Sequence, residues 1–244
     1  MAAGEKITID IDPGGLVALK VDQSAWKAQI QNNGLIEADG GTVIITAPAA
    51  GELLSSVVNN CGKVRAASMS ERNGTIIIEG STIINTGSFT ASTINARGNN
   101  LLDAGKWSAE SNSRGGTIQI NAAGSIEQTA ASRMTANGGD GGQIHINAGK
   151  ALYLSGTLSA NSTTGKGGQI TVTAPQTLLA GALMEADGEM DGGSIFIGGE
   201  KAHNFFAVQF LLLIAIGLAQ TFHAFEIHDT GFFRGVFLKG AQLG

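Results

Sequence analysis

The chain repeats one short pattern in which two glycines are followed by alternating apolar and polar residues. The copies are GGTVIITA at residues 40–47, GGTIQINA at 115–122, GGQIHINA at 141–148, GGQITVTA at 167–174 and GGSIFIGG at 192–199, with a one-glycine form, GTIIIEG, at 74–80. The second glycine of each copy lies at position 41, 74, 116, 142, 168 or 193, so the later steps are nearly equal and the step from 74 to 116 is the longest. A short period of this kind is typical of solenoid proteins.

Each repeat unit predicts three short strands separated by polar turns. A unit of this size has too little core to fold alone, so it must stack on its neighbours. Stacking in parallel register places equivalent strands about 4.8 Å apart and gathers their apolar residues into columns. The predicted columns contain Val43/Ile45, Ile118/Ile120, Ile144/Ile146, Ile170/Val172 and Ile195/Ile197. The sequence therefore predicts an all-β parallel β-helix over residues 1–199, with about six coils and a length of roughly 30 Å.

The residues between these apolar positions, such as His145 and Thr171, are expected to face outward. The glycines are expected to supply the positive φ angles of the corners. A sandwich or an antiparallel barrel is the alternative all-β arrangement, and it has hairpin turns between strands of similar length. Neither alternative requires one pattern to return at a fixed period, so the parallel β-helix is preferred.

Segments outside the repeated pattern receive separate predictions. Alternation predicts further strands at residues 6–12, 16–21, 63–67, 82–85, 88–90 and 93–96. Residues 22–30 and 48–58 have a helix-like spacing of apolar residues, and Asp22 or Ser24 could cap the first helix. The longest step of the pattern is interpreted as containing a loop insertion at residues 98–112, with Trp107 beneath it.

The composition limits the classes of function. Only 14% of the 244 residues are charged, the net charge is -5, and Lys and Arg form no run, so we predict no nucleic-acid partner. Cys61 is the single cysteine, so the chain cannot form an internal disulfide. A lone cysteine is usually a small buried apolar residue, and Cys61 is expected to be buried. Residues 1–12 contain no basic segment followed by an apolar one, so no signal peptide is predicted.

The composition changes near residue 200, which divides the chain into β-helix repeats at 1–199 and an unrelated apolar tail at 200–244. Eight of the ten Phe and three of the four His follow residue 200. Residues 205–222 carry no charge and are just long enough for a transmembrane helix, and membrane contact is expected only there. The other interpretations are a frame-shifted or otherwise unrelated segment, and a helix covering the open end of the solenoid. All three predict a helix.

Residues 34–80, together with GGQIHINA and GGQITVTA, resemble the repeats of the filamentous haemagglutinin family. These are large exoproteins exported by two-partner secretion, and the resemblance, over about residues 5–199, is to an internal part of one. It implies a right-handed β-helix shaft, an outer-membrane two-partner secretion transporter as a partner, and a secreted or cell-surface location. It also implies a role in adhesion or contact-dependent inhibition, with a host-cell or glycan surface as the target.

The sequence suggests no catalytic, metal-ligating or cofactor-binding residue. Polysaccharide-cleaving enzymes need paired acids, whereas the acids here are scattered. Asp187, Glu189 and Asp191 share one turn, and Asp39 and Asp140 lie in similar turns, where they are interpreted as solvated residues or as a weak cation site. The leading prediction is a structural and adhesive shaft segment without catalysis. The alternative is a carbohydrate-active β-helix enzyme, either a polysaccharide lyase or a hydrolase.

Overall fold

A computed structural model of the chain describes residues 1, 6–11, 17–23, 28–47, 56–67, 73–198, 204–207, 225–228 and 232–236. Within these residues every regular element is a β-strand, and none is a helix. Parallel strands stack on one another through most of this part of the chain. The predicted all-β parallel β-helix is therefore confirmed.

The described strands number 24. They are β1 (Lys6–Ile11), β2 (Val17–Gln23), β3 (Gln29–Asn32), β4 (Leu35–Glu37), β5 (Thr42–Ala47), β6 (Val57–Asn60), β7 (Lys63–Ala66), β8 (Thr75–Asn85), β9 (Ser88–Ala91), β10 (Thr93–Asp103), β11 (Lys106–Ser108), β12 (Thr117–Ala122), β13 (Ile126–Gln128), β14 (Arg133–Thr135), β15 (Gln143–Ala148), β16 (Ala151–Leu154), β17 (Thr157–Ser159), β18 (Gln169–Thr173), β19 (Gln176–Leu179), β20 (Leu183–Glu185), β21 (Ser194–Gly198), β22 (Asn204–Ala207), β23 (Phe225–His228) and β24 (Phe232–Val236). Strands β1 and β2 form a separate antiparallel pair.

Three strand faces make up each coil of the solenoid. The first face contains β3, β6, the second halves of β8 and β10, and then β13, β16 and β19. The second face is the seven-stranded sheet from β4 to β20. The third face contains β5, the first halves of β8 and β10, and then β12, β15, β18 and β21. These strands form seven successive coils, whose first and last members lie about 29 Å apart at the usual strand spacing.

The predicted apolar columns fill the solenoid behind its third face. Strand register places Ile118, Ile144, Ile170 and Ile195 directly above one another. All ten residues of the predicted columns are at most 6% exposed. Each buried aliphatic side chain contributes about 1.5–3 kcal/mol relative to an exposed one, so the columns are the main reason why the coils stack.

The predicted loop insertion at residues 98–112 is wrong. Strand β10 continues to Asp103, and β11 follows after a short turn. Trp107 lies in β11, is 0% exposed, and packs against Phe89 of the preceding coil with the ring centroids 4.7 Å apart. Residues 98–108 therefore form part of the solenoid wall and are not a loop inserted into it.

The long step between Gly74 and Gly116 contains two coils rather than one. Thr93 is in register with both Thr75 and Thr117, which are the equivalent positions of the coils on either side. Ser92 takes the place of the second glycine, so the step divides there into a shorter coil and a longer one. The shorter coil is compact because β9 passes almost directly into β10, separated only by Ser92.

The helix-like spacing at residues 22–30 and 48–58 does not produce helices in the described residues. Asp22 lies in β2 and Ile30 in β3, while Val58 lies in β6. Ile30 and Val58 are in register, and both are at most 4% exposed. Stacking against the next coil outweighs the local spacing there. Residues 24–27 and 48–55 lie outside the described residues.

The predicted tail helix falls largely outside the described residues, because residues 208–224 are not among them. Where the tail is described it forms strands, so the helix prediction is wrong for residues 205–207. Strand β22 pairs in parallel with β19, and β24 pairs antiparallel with β21 and β23. Within the described residues, no helix has the length and apolar character needed to cross a bilayer. The division of the chain near residue 200 stays a prediction.

Cys61 is exposed, so its predicted burial is wrong. It directly follows Asn60, the last residue of β6, whose side chain points into the solenoid and is 1% exposed. Alternation turns the next side chain outward, where Cys61 Sγ lies 3.4 Å from Asn59 Oδ1.

Candidate functional site

Between β11 and β21, four successive coils each carry a loop at the corner between the second and third faces. These corner loops comprise residues 110–115, 137–141, 161–167 and 187–192. Each begins after a buried alanine and returns at the second glycine of the repeated pattern. The N–H of that glycine donates to the carbonyl of that alanine, as in Gly142 to Ala136 at 2.7 Å; the other pairs are Gly116 to Ala109 at 2.6 Å, Gly168 to Ala160 at 2.7 Å and Gly193 to Ala186 at 2.6 Å. This bond closes the base of each loop, so loop length varies without disturbing the coil.

The glycine pairs are required by close packing between coils. A Cβ on Gly116 would lie 1.9 Å from the Ser92 carbonyl oxygen, and one on Gly168 would lie 2.1 Å from that of Gly142. No side chain fits at such distances, because the obstructing atoms belong to the backbone. Among the described glycines of the repeated pattern, only Gly40 and Gly198 have positive φ angles, of 69° and 154°. The predicted role of positive φ is therefore wrong for the glycine pairs from residue 115 onward.

The glycine pairs form the floor of a groove that runs along the solenoid axis. The groove has a volume of about 590 Å³, and every side chain that lines it is polar. One wall consists of the first residues of four third-face strands, which stand in register: Thr117, Gln143, Gln169 and Ser194. Arg114 lies at the end nearest the N-terminal coils. The groove spans four coils, so its end strands lie about 14 Å apart.

The backbone of the groove floor is already hydrogen bonded between coils. The carbonyl of Gly116 accepts from Gln143 N, that of Gly142 from Gln169 N, and that of Gly168 from Ser194 N, each at 2.9 Å. The N–H groups of the same glycines bond to the alanines that close the loops. The N–H groups of these glycines are therefore not free to donate to an added strand, and each of their carbonyls already accepts one hydrogen bond.

The residues immediately before the glycine pairs alternate in charge. They are Arg114, Asp140, Lys166 and Asp191, one in each of four successive coils. Backbone bridges place Arg114 beside Asp140 and Lys166 beside Asp191, and Lys166 Nζ lies 3.1 Å from Asp191 Oδ2. A cation thus separates the two acids, which do not form an acidic corner. In the part of the chain that the structure describes, no group of His, Cys, Asp or Glu could hold a metal ion.

Other polar residues of the corner join one coil to the next. Asp39 Oδ1 accepts from Ala67 N at 2.9 Å, and Asp39 Oδ2 lies 2.8 Å from Arg65 Nη2. Farther along, Asn161 Oδ1 accepts from Asp187 N at 2.8 Å, and partial burial raises the pKa of the Asp187 carboxyl. Asp39 and Asn161 therefore serve coil stacking, and neither lines the groove.

A second polar arrangement lies inside the solenoid, at the corner between the first and second faces. Asn32 Nδ2 donates to Asn60 Oδ1 at 2.8 Å, Asn60 Nδ2 to Asn85 Oδ1 at 2.9 Å, and Asn85 Nδ2 to Asp103 Oδ1 at 2.8 Å. These four residues, the buried ladder, are at most 7% exposed. The ladder supplies the hydrogen bonds that buried amides require and fixes the coils in register.

Asp103 ends the buried ladder, and its carboxyl group accepts four hydrogen bonds, the first of them from Asn85. Its Oδ1 also accepts from Trp107 Nε1 at 2.8 Å and from Gly105 N at 3.2 Å, and its Oδ2 accepts from Ser132 Oγ. Burial raises the pKa of the Asp103 carboxyl, and the four hydrogen bonds oppose that effect without cancelling it. The next residue in register is Gln128, whose buried Oε1 has no partner among the described residues.

Neither the groove nor the buried ladder follows from the repeated pattern alone. The signal for the ladder is Asn or Asp followed two residues later by Gly, which occurs at Asn32, Asn60, Asn85 and Asp103. The groove depends on corner loops of unequal length and sequence, which show no period. His145 lies on the third face, half-buried, with Nε2 3.3 Å from Gln143 Oε1, and burial lowers its pKa.

Family models, curated proteins and solved structures all give no match to this chain. The function must therefore be argued from the geometry described above. None of the side chains that line the groove carries a carboxylate, whereas glycoside hydrolysis uses a pair of them.

Proposed function

We propose that this protein is a structural and adhesive shaft segment that has no catalytic activity. The observation that carries the proposal is the unbroken register of seven coils around one apolar core. Stacked β-strands with paired backbone groups and buried polar ladders make a stiff rod, which suits a part that holds binding surfaces away from an attachment point. Each added coil lengthens such a rod by about 4.8 Å.

The outer surface supports an adhesive role. On the third face one outward column consists of hydroxyl and amide side chains, as in Thr93, Thr117 and Gln143. A surface with few charges and many hydrogen-bonding groups is suited to contact with another polar surface such as a glycan layer. The groove adds a concave feature to this otherwise regular exterior.

We further propose that the shaft belongs to a filamentous-haemagglutinin-like exoprotein. The combination of the repeated Gly-Gly pattern with a parallel solenoid supports this assignment. The proposal includes a right-handed coil, export through an outer-membrane two-partner secretion transporter, and a secreted or cell-surface location. Residues 205–222 would provide the membrane contact, if any is made.

Adhesion can be tested with beads that carry the purified protein. We expect these beads to attach to epithelial monolayers in larger numbers than beads carrying an unrelated acidic protein of similar size, and soluble protein should compete. Attachment no greater than that of the control beads would contradict the adhesive role. Because the assay uses the whole surface, it does not depend on any one site.

The rival function, a carbohydrate-active enzyme, is tested separately. The protein is incubated with a panel of acidic and neutral polysaccharides, and new reducing ends and unsaturated products are measured. We expect neither, because the groove lacks the paired carboxylates that hydrolysis uses. Turnover that follows protein concentration would overturn the absence of catalysis.

A further inference from the structure

We infer that the glycine-floored groove binds a linear, uncharged oligosaccharide that lies along the solenoid axis. The inference rests on the proposed adhesive function and names its ligand. Three properties of the groove lead to it: the backbone groups of Gly116, Gly142 and Gly168 are hydrogen bonded, the charges beside the floor alternate, and the walls carry hydroxyl and amide groups at a regular spacing.

The engaged floor argues against an extended peptide. Peptides that add to a sheet bind through free backbone N–H and C=O groups, and they gain specificity from pockets for alternate side chains. Here the backbone groups of Gly116, Gly142 and Gly168 already bond between coils. No apolar side chain lines the groove, so it offers no pocket for a peptide side chain.

The alternating charges argue against a charged polymer. Along the row beside the floor, Arg114 is followed by Asp140 and then by Lys166, so the local field changes sign with every coil. The ion pair between Lys166 and Asp191 neutralises the far end. A polyanion or a polycation would meet repulsion at every second coil, whereas an uncharged chain would not.

The amide and hydroxyl side chains of the groove wall can form hydrogen bonds with the hydroxyl groups of a sugar chain. Gln143 and Gln169 are exposed and stand in register about 4.8 Å apart. The Gln169 amide offers both a donor and an acceptor, and Gln143 offers its Nε2 donors beside an Oε1 that lies 3.3 Å from His145 Nε2. Thr117 and Ser194 continue the row with hydroxyl groups. Since the floor has no side chains, a flat sugar ring can approach the backbone closely.

The test uses cellohexaose, maltohexaose and hexa-N-acetylchitohexaose, all uncharged, as probes for the full-length protein. Affinity is measured by calorimetry, and the side-chain amide signals of Gln143 and Gln169 are followed by NMR during each titration. The double variant Gln143→Ala/Gln169→Ala removes groove amides, while Gln119→Ala/Gln176→Ala removes two exposed amides outside the groove. Because all four residues are exposed, neither variant is expected to impair folding.

We expect at least one probe to bind and to shift the amide signals of Gln143 and Gln169. The groove variant should bind that probe roughly 10-fold to 100-fold more weakly, as expected for the loss of two or more neutral hydrogen bonds, and the control variant should be unchanged. Affinity should change little between about 0.1 M and about 1 M salt, where the screening length falls from about 10 Å to about 3 Å.

Four results would overturn the inference: no probe binds at millimolar concentration, both variants weaken binding equally, high salt abolishes binding, or an extended peptide shifts the same amide signals instead. These failures are distinguishable from failure of the adhesive function. If beads still attach to cells when the groove variant is used, adhesion stands and the groove is not its site.

Discussion

Replacement of Asp103 tests whether the buried ladder holds the middle coils together. In Asp103→Ala, the donors Asn85 Nδ2, Trp107 Nε1, Gly105 N and Ser132 Oγ lose their acceptor inside the core. A buried polar group without a partner costs about 1–3 kcal/mol. Water entering the vacated space recovers part of this loss, so we expect the free energy of unfolding to fall by about 3–6 kcal/mol.

Asp103→Asn should behave very differently. Its amide oxygen takes the place of Oδ1 and keeps the three donors from Asn85, Trp107 and Gly105. Its amide nitrogen faces Ser132 Oγ, which already accepts from Gln128 Nε2 at 2.9 Å and has a second lone pair to accept with once its hydroxyl hydrogen turns away. We therefore expect the free energy of unfolding at about pH 7 to stay within about 1 kcal/mol of the unsubstituted protein.

The Asp103→Asn variant also isolates a pH dependence. Burial raises the pKa of Asp103 in the folded state above its unfolded value, so the folded state holds the proton more tightly. The stability from this group is then fully present below the unfolded pKa and is lost as pH rises through the folded pKa. Relative to Asp103→Asn, which cannot titrate there, the unsubstituted protein should gain stability as the pH falls through the raised folded pKa toward the ordinary value of 3.8.

The assay is urea unfolding followed by far-ultraviolet circular dichroism, extrapolated linearly to water. Glu127→Gln is the matched control, because it removes an exposed carboxylate from β13, next to the ladder; its effect should stay within about 0.5 kcal/mol. The reasoning is refuted if Asp103→Asn is as destabilising as Asp103→Ala. It is also refuted if the unsubstituted protein loses stability relative to Asp103→Asn as the pH falls.

Three further predictions can be tested by the same unfolding assay. Gly142→Ala places a Cβ 2.3 Å from the Gly116 carbonyl oxygen and should cost about 1–3 kcal/mol or more, whereas Gly34→Ala, with nothing within 4 Å, should be nearly neutral; equal effects would contradict the packing role. Thr177→Val removes a buried Oγ1 that has no partner among the described residues, and should stabilise the protein by about 1 kcal/mol; a loss of stability would show that the hydroxyl is satisfied. Trp107→Phe removes the Nε1 donor to Asp103 while leaving an aromatic ring against Phe89, and should cost about 1–3 kcal/mol; an unchanged midpoint would argue against that bond.

Local alternation was a reliable guide where one face of a strand is buried. Ile144 and Ile146 are buried as predicted. Side chains alternate between the two faces of a strand, so both can be buried only if this face of the strand lies toward the core. Helix-like spacing was unreliable at Ile30 and Val58, since the two lie in different coils and pair only after those coils have stacked. The predicted loop insertion at residues 98–112 was wrong for a related reason: one coil within the longest step lacks the glycine that marks its neighbours.

At the candidate site too, the sequence predicted some features and missed those that depend on contacts between coils. The glycine pairs are plain in the sequence, but local reasoning assigned positive φ angles to them. The structure instead requires glycine there because the backbone of a neighbouring coil lies against each of these positions. The alternation of Arg114, Asp140, Lys166 and Asp191 emerges only when unequal corner loops are aligned by the strands that flank them. Acids that are scattered along the chain are thereby separated by cations in space.

The sequence by itself determined the solenoid: its period, its apolar columns and its all-β class, because each of these depends on residues within one repeat. The tertiary structure decided the number of coils, the buried ladder and the groove, because each depends on which residues of different coils come to lie together. A coil without its glycine, an aspartate at the end of a ladder of asparagines and a groove floored by the glycine pairs of four coils are properties of the stack. No single repeat contains them.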